Sequence, residues 1–253
     1  MDSKTIRRAL RGGLYLIALT VILFSASPAL AQVDFTTDEA AFLARNPDLQ
    51  FQDFLGKVLT MPEVCANPAN SSSNDDCFSP GQILSDIEFI VDPGLSPNAL
   101  VLFEGDFFGN NNPPNVLASN VGGVGDDFDI IFTEPNINAV GINAGCLSES
   151  DTCIIGRTVR VSVFGGSGLL GTIVIPVTSA FNSFLGISTV EPITEISMLD
   201  ENDDAIQGVL NVWFGTRVNP RIPTLSEWGM IAAAAGLMLV GVFYAVKRRR
   251  LNV

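Results

Sequence analysis

Acids, cysteines and serines are the residues here whose spacing offers chemistry, because the 253-residue chain contains no histidine. That excludes Ser-His-Asp and Cys-His nucleophile systems and every His-ligated metal site within one chain. Gly166-Ser167-Gly168 lacks the second flanking glycine of a nucleophile elbow, because Leu169 stands in its place, and it reads as a turn. Glu104-Gly105-Asp106-Phe107-Phe108-Gly109 supplies two acids of an E-x-D-x-x-E strand, but Gly109 occupies the third acidic place. Retaining glycoside hydrolysis needs two carboxyls about 5 Å apart as acid and nucleophile. Glu104 and Asp106 cannot fill those roles and the helper's as well, so the chain reads as non-catalytic.

Two acidic stretches could hold a hard cation. In Asp200-Glu201-Asn202-Asp203-Asp204 the alternating oxygens of Asp200, Asn202 and Asp204 match the start of a calcium loop. The glycine an EF-hand requires two residues later is Ile206, and no bidentate glutamate follows. Gly125-Asp126-Asp127-Phe128-Asp129 is a second acidic edge. Solvated acids that end strands are the simpler reading of both, so no cofactor is expected and calcium is the one candidate.

The four cysteines form two close pairs, Cys65/Cys77 and Cys146/Cys153. Three connectivities exist. Local pairing is expected, since each pair brackets a polar loop and needs no long-range register. With no CxxC spacing, metal binding is the weaker alternative. Disulfides place the chain in an oxidising compartment.

The elements that carry these residues lie between two atypical ends. Lys4, Arg7, Arg8 and Arg11 form a positive n-region, Leu14 to Phe24 an apolar h-region, and Ala29-Leu30-Ala31 a small-x-small cleavage site before Gln32. Residues 1–31 thus read as a signal peptide removed by signal peptidase. Arg7-Arg8 raises a twin-arginine alternative, against which the strongly apolar h-region favours the general secretory route. Met230–Val246 is uncharged over 17 residues, a helix of roughly 25 Å at 1.5 Å per residue, just short of the hydrocarbon core. Lys247, Arg248, Arg249 and Arg250 follow and hold the C-terminus in the cytoplasm.

Residues 32–216 form one exported domain, joined to the tail by a linker at 217–221. Over 32–221 six bases face 25 acids, a net charge of −19. That charge argues against nucleic acid and anionic lipid as partners of the domain. Thr36-Thr37-Asp38-Glu39 reads as a capping box with Thr36 as N-cap, opening a short helix to about Arg45 that presents Ala40, Phe42 and Leu43. Beyond it, β-branched and aromatic runs alternate with Gly, Pro, Asn and Asp. Strands are expected near 49–54, 87–91, 99–103, 116–118, 128–132, 138–143, 158–164, 170–177, 184–190, 194–199 and 209–214. Gly165-Gly166-Ser167-Gly168 turns one hairpin. The expected fold is mainly β: an antiparallel β-sandwich of jelly-roll type with a short N-terminal helix, flanked by the cleaved signal and a transmembrane helix.

Ile222-Pro223-Thr224-Leu225-Ser226-Glu227-Trp228-Gly229, the span and the basic cluster follow one another at 222–253. This tail resembles the IPTL-CTERM sorting domain of Gram-negative bacteria, a sister of the PEP-CTERM signals, closely at Ile222, Pro223, Thr224, Leu225, Trp228 and Gly229. The resemblance implies processing by an exosortase, a multipass membrane protease-transpeptidase. The chain would then be anchored transiently in the inner membrane, N-terminus outside, and released to the cell surface or beyond. Helix, Phe51-Gln52-Asp53-Phe54-Leu55-Gly56, sandwich and closing Val212-Trp213-Phe214-Gly215 also resemble the ectodomains of many PEP-CTERM-type proteins. That resemblance confers no activity; the expected function is a structural or adhesive surface component, with exopolysaccharide as a candidate partner. The alternatives are a carbohydrate-binding module using exposed Phe107, Phe108 and Trp213, or a glycoside hydrolase of the same fold.

Overall fold

The structure, a computed structural model, describes residues 33–55, 59, 61–92, 99–104, 115–120, 127–147, 153, 157–200 and 206–217, with 229, 232–234 and 236–237 in the tail. The chain divides into two compact units, Ala31–Val218 and a second combining Met1–Leu30 with Asn219–Val253. In the second, the described residues Gly229, 232–234 and 236–237 are helical. Among the described residues no helix is long and apolar enough to cross a membrane. Most of the expected span lies outside them.

The first unit is built from β1 (Val33–Thr36), α1 (Glu39–Arg45), β2 (Gln50–Asp53), β3 (Glu63–Val64), β4 (Ile87–Val91), β5 (Leu100–Phe103) and β6 (Val116–Ser119). It continues with β7 (Phe128–Phe132), β8 (Ala139–Leu147), β9 (Arg157–Gly165), β10 (Gly168–Val177), β11 (Ser183–Thr189), β12 (Ile193–Asp200) and β13 (Ile206–Gly215). All pairings are antiparallel. The larger sheet runs β1-β11-β8-β13-β6-β5-β3, with β2 also on β13; the smaller runs β10-β9-β12-β7-β4. Each expected strand is present within a few residues. β1 and the two-residue β3 were not expected, and β8 runs four residues further, to Leu147.

Alternation explains the layers. Val159, Val161 and Val163 of β9 are buried, Arg160 is exposed and Ser162 part-exposed, so β9 buries one face. These valines join Phe89, Phe128, Ile130, Ile196 and Met198 of the smaller sheet, and Leu117, Ile142, Leu185, Val209, Val212 and Phe214 of the larger, in one core. The unit is therefore a two-sheet sandwich.

The larger sheet also carries apolar clusters on its outer face. Phe42 of α1, fully buried, lies over Gly186 of β11, where a Cβ would meet its ring at 2.5 Å. At the other end the Phe181 ring occupies the space a side chain at Gly145 would need. Phe181 has φ 51°, a left-handed conformation that is rare outside glycine. Complete burial of its ring offsets that strain.

The helix cap falls two residues later than the capping box implies. Thr36 ends β1, paired with Gly186, so the cap falls to Asp38, whose Oδ1 accepts from the Ala41 N–H at 2.9 Å. Phe42 is buried and Leu43 half-buried, while Ala40 is exposed.

Both expected disulfides are formed, Cys65–Cys77 and Cys146–Cys153, with Cα separations of 5.2 and 5.8 Å. The first staples a segment that closes the free edge of β4. Ala69 and Phe89 exchange both backbone hydrogen bonds at 2.9 Å. Asn67 imitates a strand residue beside Val91: its Nδ2 donates to the Val91 carbonyl at 2.8 Å and its Oδ1 accepts from the Val91 N–H at 3.1 Å. Inside the loop Asp75 accepts from the N–H groups of Ala66, Cys77 and Phe78. An open edge is a template for aggregation; this loop covers it.

Replacing Cys65 and Cys77 together by serine is expected to lower stability by about 3 kcal/mol, the chain-entropy value for a loop of this length. Asn67→Ala, which strips Val91 of both edge bonds, is expected to cost about 1–2 kcal/mol with the disulfide intact. Denaturant titration reads both, and non-reduced peptide mapping checks the pairing.

Candidate functional site

The residues singled out from the sequence fall in four groups. Ala29 and Ala31, Ile222–Trp228 and Lys247–Arg250 lie outside the described residues, and Gly229 is helical. Of the calcium candidates, Asp200 closes β12 opposite Val159 with its side chain buried, while Asn202 and Asp204 lie outside the described residues. Among the described residues no group of three or more Cys, Asp or Glu is arranged to hold a metal ion. Glu104 follows β5 and is exposed; Asp106, Phe107 and Phe108 lie outside the described residues. Ser167 sits in the β9–β10 turn, where Gly168 adopts φ 102°. Its N–H and Oγ both bond the Glu191 carboxylate at 2.6 Å, which holds that acid below the usual glutamate range. Ser167 thus lies in a turn, as read from the sequence, and these two bonds tie the turn to Glu191.

The outer face of the smaller sheet gathers acids. Ile90, Asp129, Ser197, Ser162 and Thr172 lie in register across β4, β7, β12, β9 and β10. Burial between its neighbours pushes the Asp129 carboxyl up to about 6; the Ser197 hydrogen bond opposes this, and the charges of Glu195, Asp127 and Asp92 add to it. Asp127 is raised as well, by burial and then by Asp92. This row is a site of electrostatic stress.

The outer face of the larger sheet offers a different combination. Trp213 pairs with Phe51 across β13 and β2, their ring centroids 5.0 Å apart and their planes at 39°. Phe51 is 46 % exposed, and Phe184 closes the other side of the indole at 5.9 Å. Two residues along the same strands, Asp53, Asn211 and Asn143 line up across β2, β13 and β8. The side-chain oxygens of Asn211 and Asn143 are buried and accept no hydrogen bond. An unsatisfied buried acceptor costs about 1–3 kcal/mol, and here two stand in register beside a ring pair of which Phe51 is exposed. The sequence reading found Trp213 but not Phe51, Asn143 or Asn211. The available signal was a lone asparagine inside each apolar run, Ile142-Asn143-Ala144 and Leu210-Asn211-Val212.

Asp129→Asn tests the acidic row. A raised carboxyl leaves the folded state short of charge between its unfolded value, 3.8, and about 6. Stability therefore falls as pH rises through that window and stays lowered above it. Asp129→Asn is expected to raise stability at pH 7.5 by about 1 kcal/mol, discounted for solvent screening, and to change little at pH 4. Thermal melts at the two pH values measure it.

Compared with known proteins, the chain matches no family model and no curated protein sequence.

Proposed function

We propose that this chain is an exported, non-catalytic β-sandwich of jelly-roll type, acting as a structural or adhesive component at the cell surface and delivered by an IPTL-CTERM-like tail. The carrying observation is the order of the tail: Ile222-Pro223-Thr224-Leu225-Ser226-Glu227-Trp228-Gly229, an uncharged span, then four cations. In this reading signal peptidase cleaves after Ala31, the span anchors the chain in the inner membrane, and an exosortase cuts near the motif. Pro223 keeps Ile222 extended for a protease cleft, and Trp228 sets an indole at headgroup level.

The fold supports a passive role outside the cell. The two disulfides suit an oxidising compartment. The jelly-roll reading draws on the strand order: β6-β13-β8-β11 in one sheet faces β7-β12-β9-β10 in the other, with the chain alternating between them except at the β9–β10 hairpin. This order supports a double Greek key of eight strands, extended in this reading by β1 to β5. A carbohydrate-binding module is the second reading, favoured by the Phe51–Trp213 ring pair, whose Phe51 is exposed.

The mature surface form is expected to end near Ile222–Gly229, as read by its intact mass. A surface form still ending at Val253 overturns exosortase processing and leaves a plain anchor. Trp228→Ala and Pro223→Ala are expected to accumulate unprocessed precursor in the inner membrane, because neither alters the apolar transfer of Met230–Val246. Fractionation with an immunoblot reads this.

A further inference from the structure

The strip on the outer face of the larger sheet has the chemistry of a sugar subsite. We propose that Phe51, Trp213, Asp53, Asn211 and Asn143 bind a ring of a neutral glycan. The inference rests on the adhesive reading of the exported domain and names its contact surface.

The first element is the ring pair. Phe51 keeps 46 % of its surface exposed although it stands in the middle of a paired strand, and Trp213 beside it is half-buried. An aromatic platform of one or two rings is far smaller than the ~1,000 Å² a stable protein partner needs. It matches the apolar C–H face of one pyranose, whose burial against an aromatic ring is favourable for the same reason as any apolar burial.

The second element is the acceptor row. Asp53, Asn211 and Asn143 occupy adjacent strands in register, one pleat repeat from the rings on the same face, about 7 Å along the strands. A sugar lying on the rings therefore has its hydroxyls within one pleat repeat of this row. Hydroxyls are donors, and the carboxamide oxygens of Asn211 and Asn143 have no donor. Asn211 as a whole is half-buried and its amide turns about a soft terminal torsion, and binding in this proposal uses that turn to present the oxygen to the sugar. Asn143, 8 % exposed, continues the row one strand further in. A site built to pair hydroxyls discriminates strongly against ligands lacking them.

Charge chooses the glycan. With a net −19 over residues 32–221, an acidic polysaccharide is repelled and a neutral one is not.

The test uses the full chain in a zwitterionic, sugar-free detergent, carrying Trp228→Phe so that Trp213 is the sole indole. It is titrated with dextran, mannan, mixed-linkage β-glucan and xyloglucan, and with alginate as the acidic control. The expected result is a saturable change in Trp213 fluorescence with at least one neutral glycan and none with alginate. Phe51→Ala and Asn211→Ala are each expected to weaken that binding at least tenfold with melting temperatures preserved, whereas Leu169→Ala, exposed on β10 of the other sheet, leaves it unchanged. No fluorescence response and no retardation of the same chain in native gels cast with any neutral glycan overturns the proposal, and takes the glycan-adhesive reading with it. Retardation with a silent Trp213 and unaffected Phe51→Ala and Asn211→Ala variants overturns this site alone, since adhesion then lies elsewhere. The tail reading survives either result, because it is read by mass.

Discussion

The hydrogen-bond ladder of β13 is the constraint on which the domain depends. It pairs with β8 along nearly its whole length, from Ile206 to Gly215. Its other edge serves two strands end to end, β6 at Gly208–Val209 and β2 at Asn211–Phe214. The changeover falls at a bulge between Val209 and Asn211. There the Asn115 side chain, just before β6, donates to the Phe54 carbonyl just after β2 at 3.0 Å, which joins the two half-strands across the gap. Inward, β13 sets Val209, Val212 and Phe214 in the core; outward, it presents Trp213 and Asn211. A one-residue slip would exchange these sets. The main core and the candidate subsite are thus registered by one strand.

The two outer faces show how differently a sandwich can use its polar side. On the smaller sheet burial first, and the charges of neighbouring acids after it, raise the affinity of Asp129 and Asp127 for protons. On the larger sheet the same positions hold glycines and rings, with α1 laid across one end through Phe42. The first face resists anions and the second offers apolar and neutral acceptor surface.

Much of this fold was legible in the sequence, and the reason is periodicity. Val159, Val161 and Val163 announce their buried face by alternation alone, and Gly165–Gly168 announces its turn. Local disulfide pairing was legible because Cys65 and Cys77 bracket a segment too polar to fold by burial. What was not legible depends on distant partners. β3 has two residues and exists only because β5 offers an edge. Thr36-x-x-Glu39 is a sound capping box, yet β11 claims Thr36 for the sheet and the cap moves to Asp38. The polar loop at 67–76 gave no sign that it would complete β4. Of the candidate subsite, Trp213 was visible as an aromatic; that Phe51 would lie beside it, and Asn143 beside Asn211, follows from strand order, which no local pattern encodes.

The Gly186–Phe42 contact has a consequence for how this domain can change by descent. The seat of the helix is made by an absence: Gly186 leaves room where the Phe42 ring lies, and Gly141 widens the same room. A lineage that lost α1 would leave bare glycine backbone on a solvent face, and larger residues at 141 and 186 would then be favoured for strand propensity. Once those residues were filled, no helix carrying an aromatic at position 42 could dock again. The contact therefore works as a ratchet: helix and glycines are inherited together or lost together, and loss is far easier than regain.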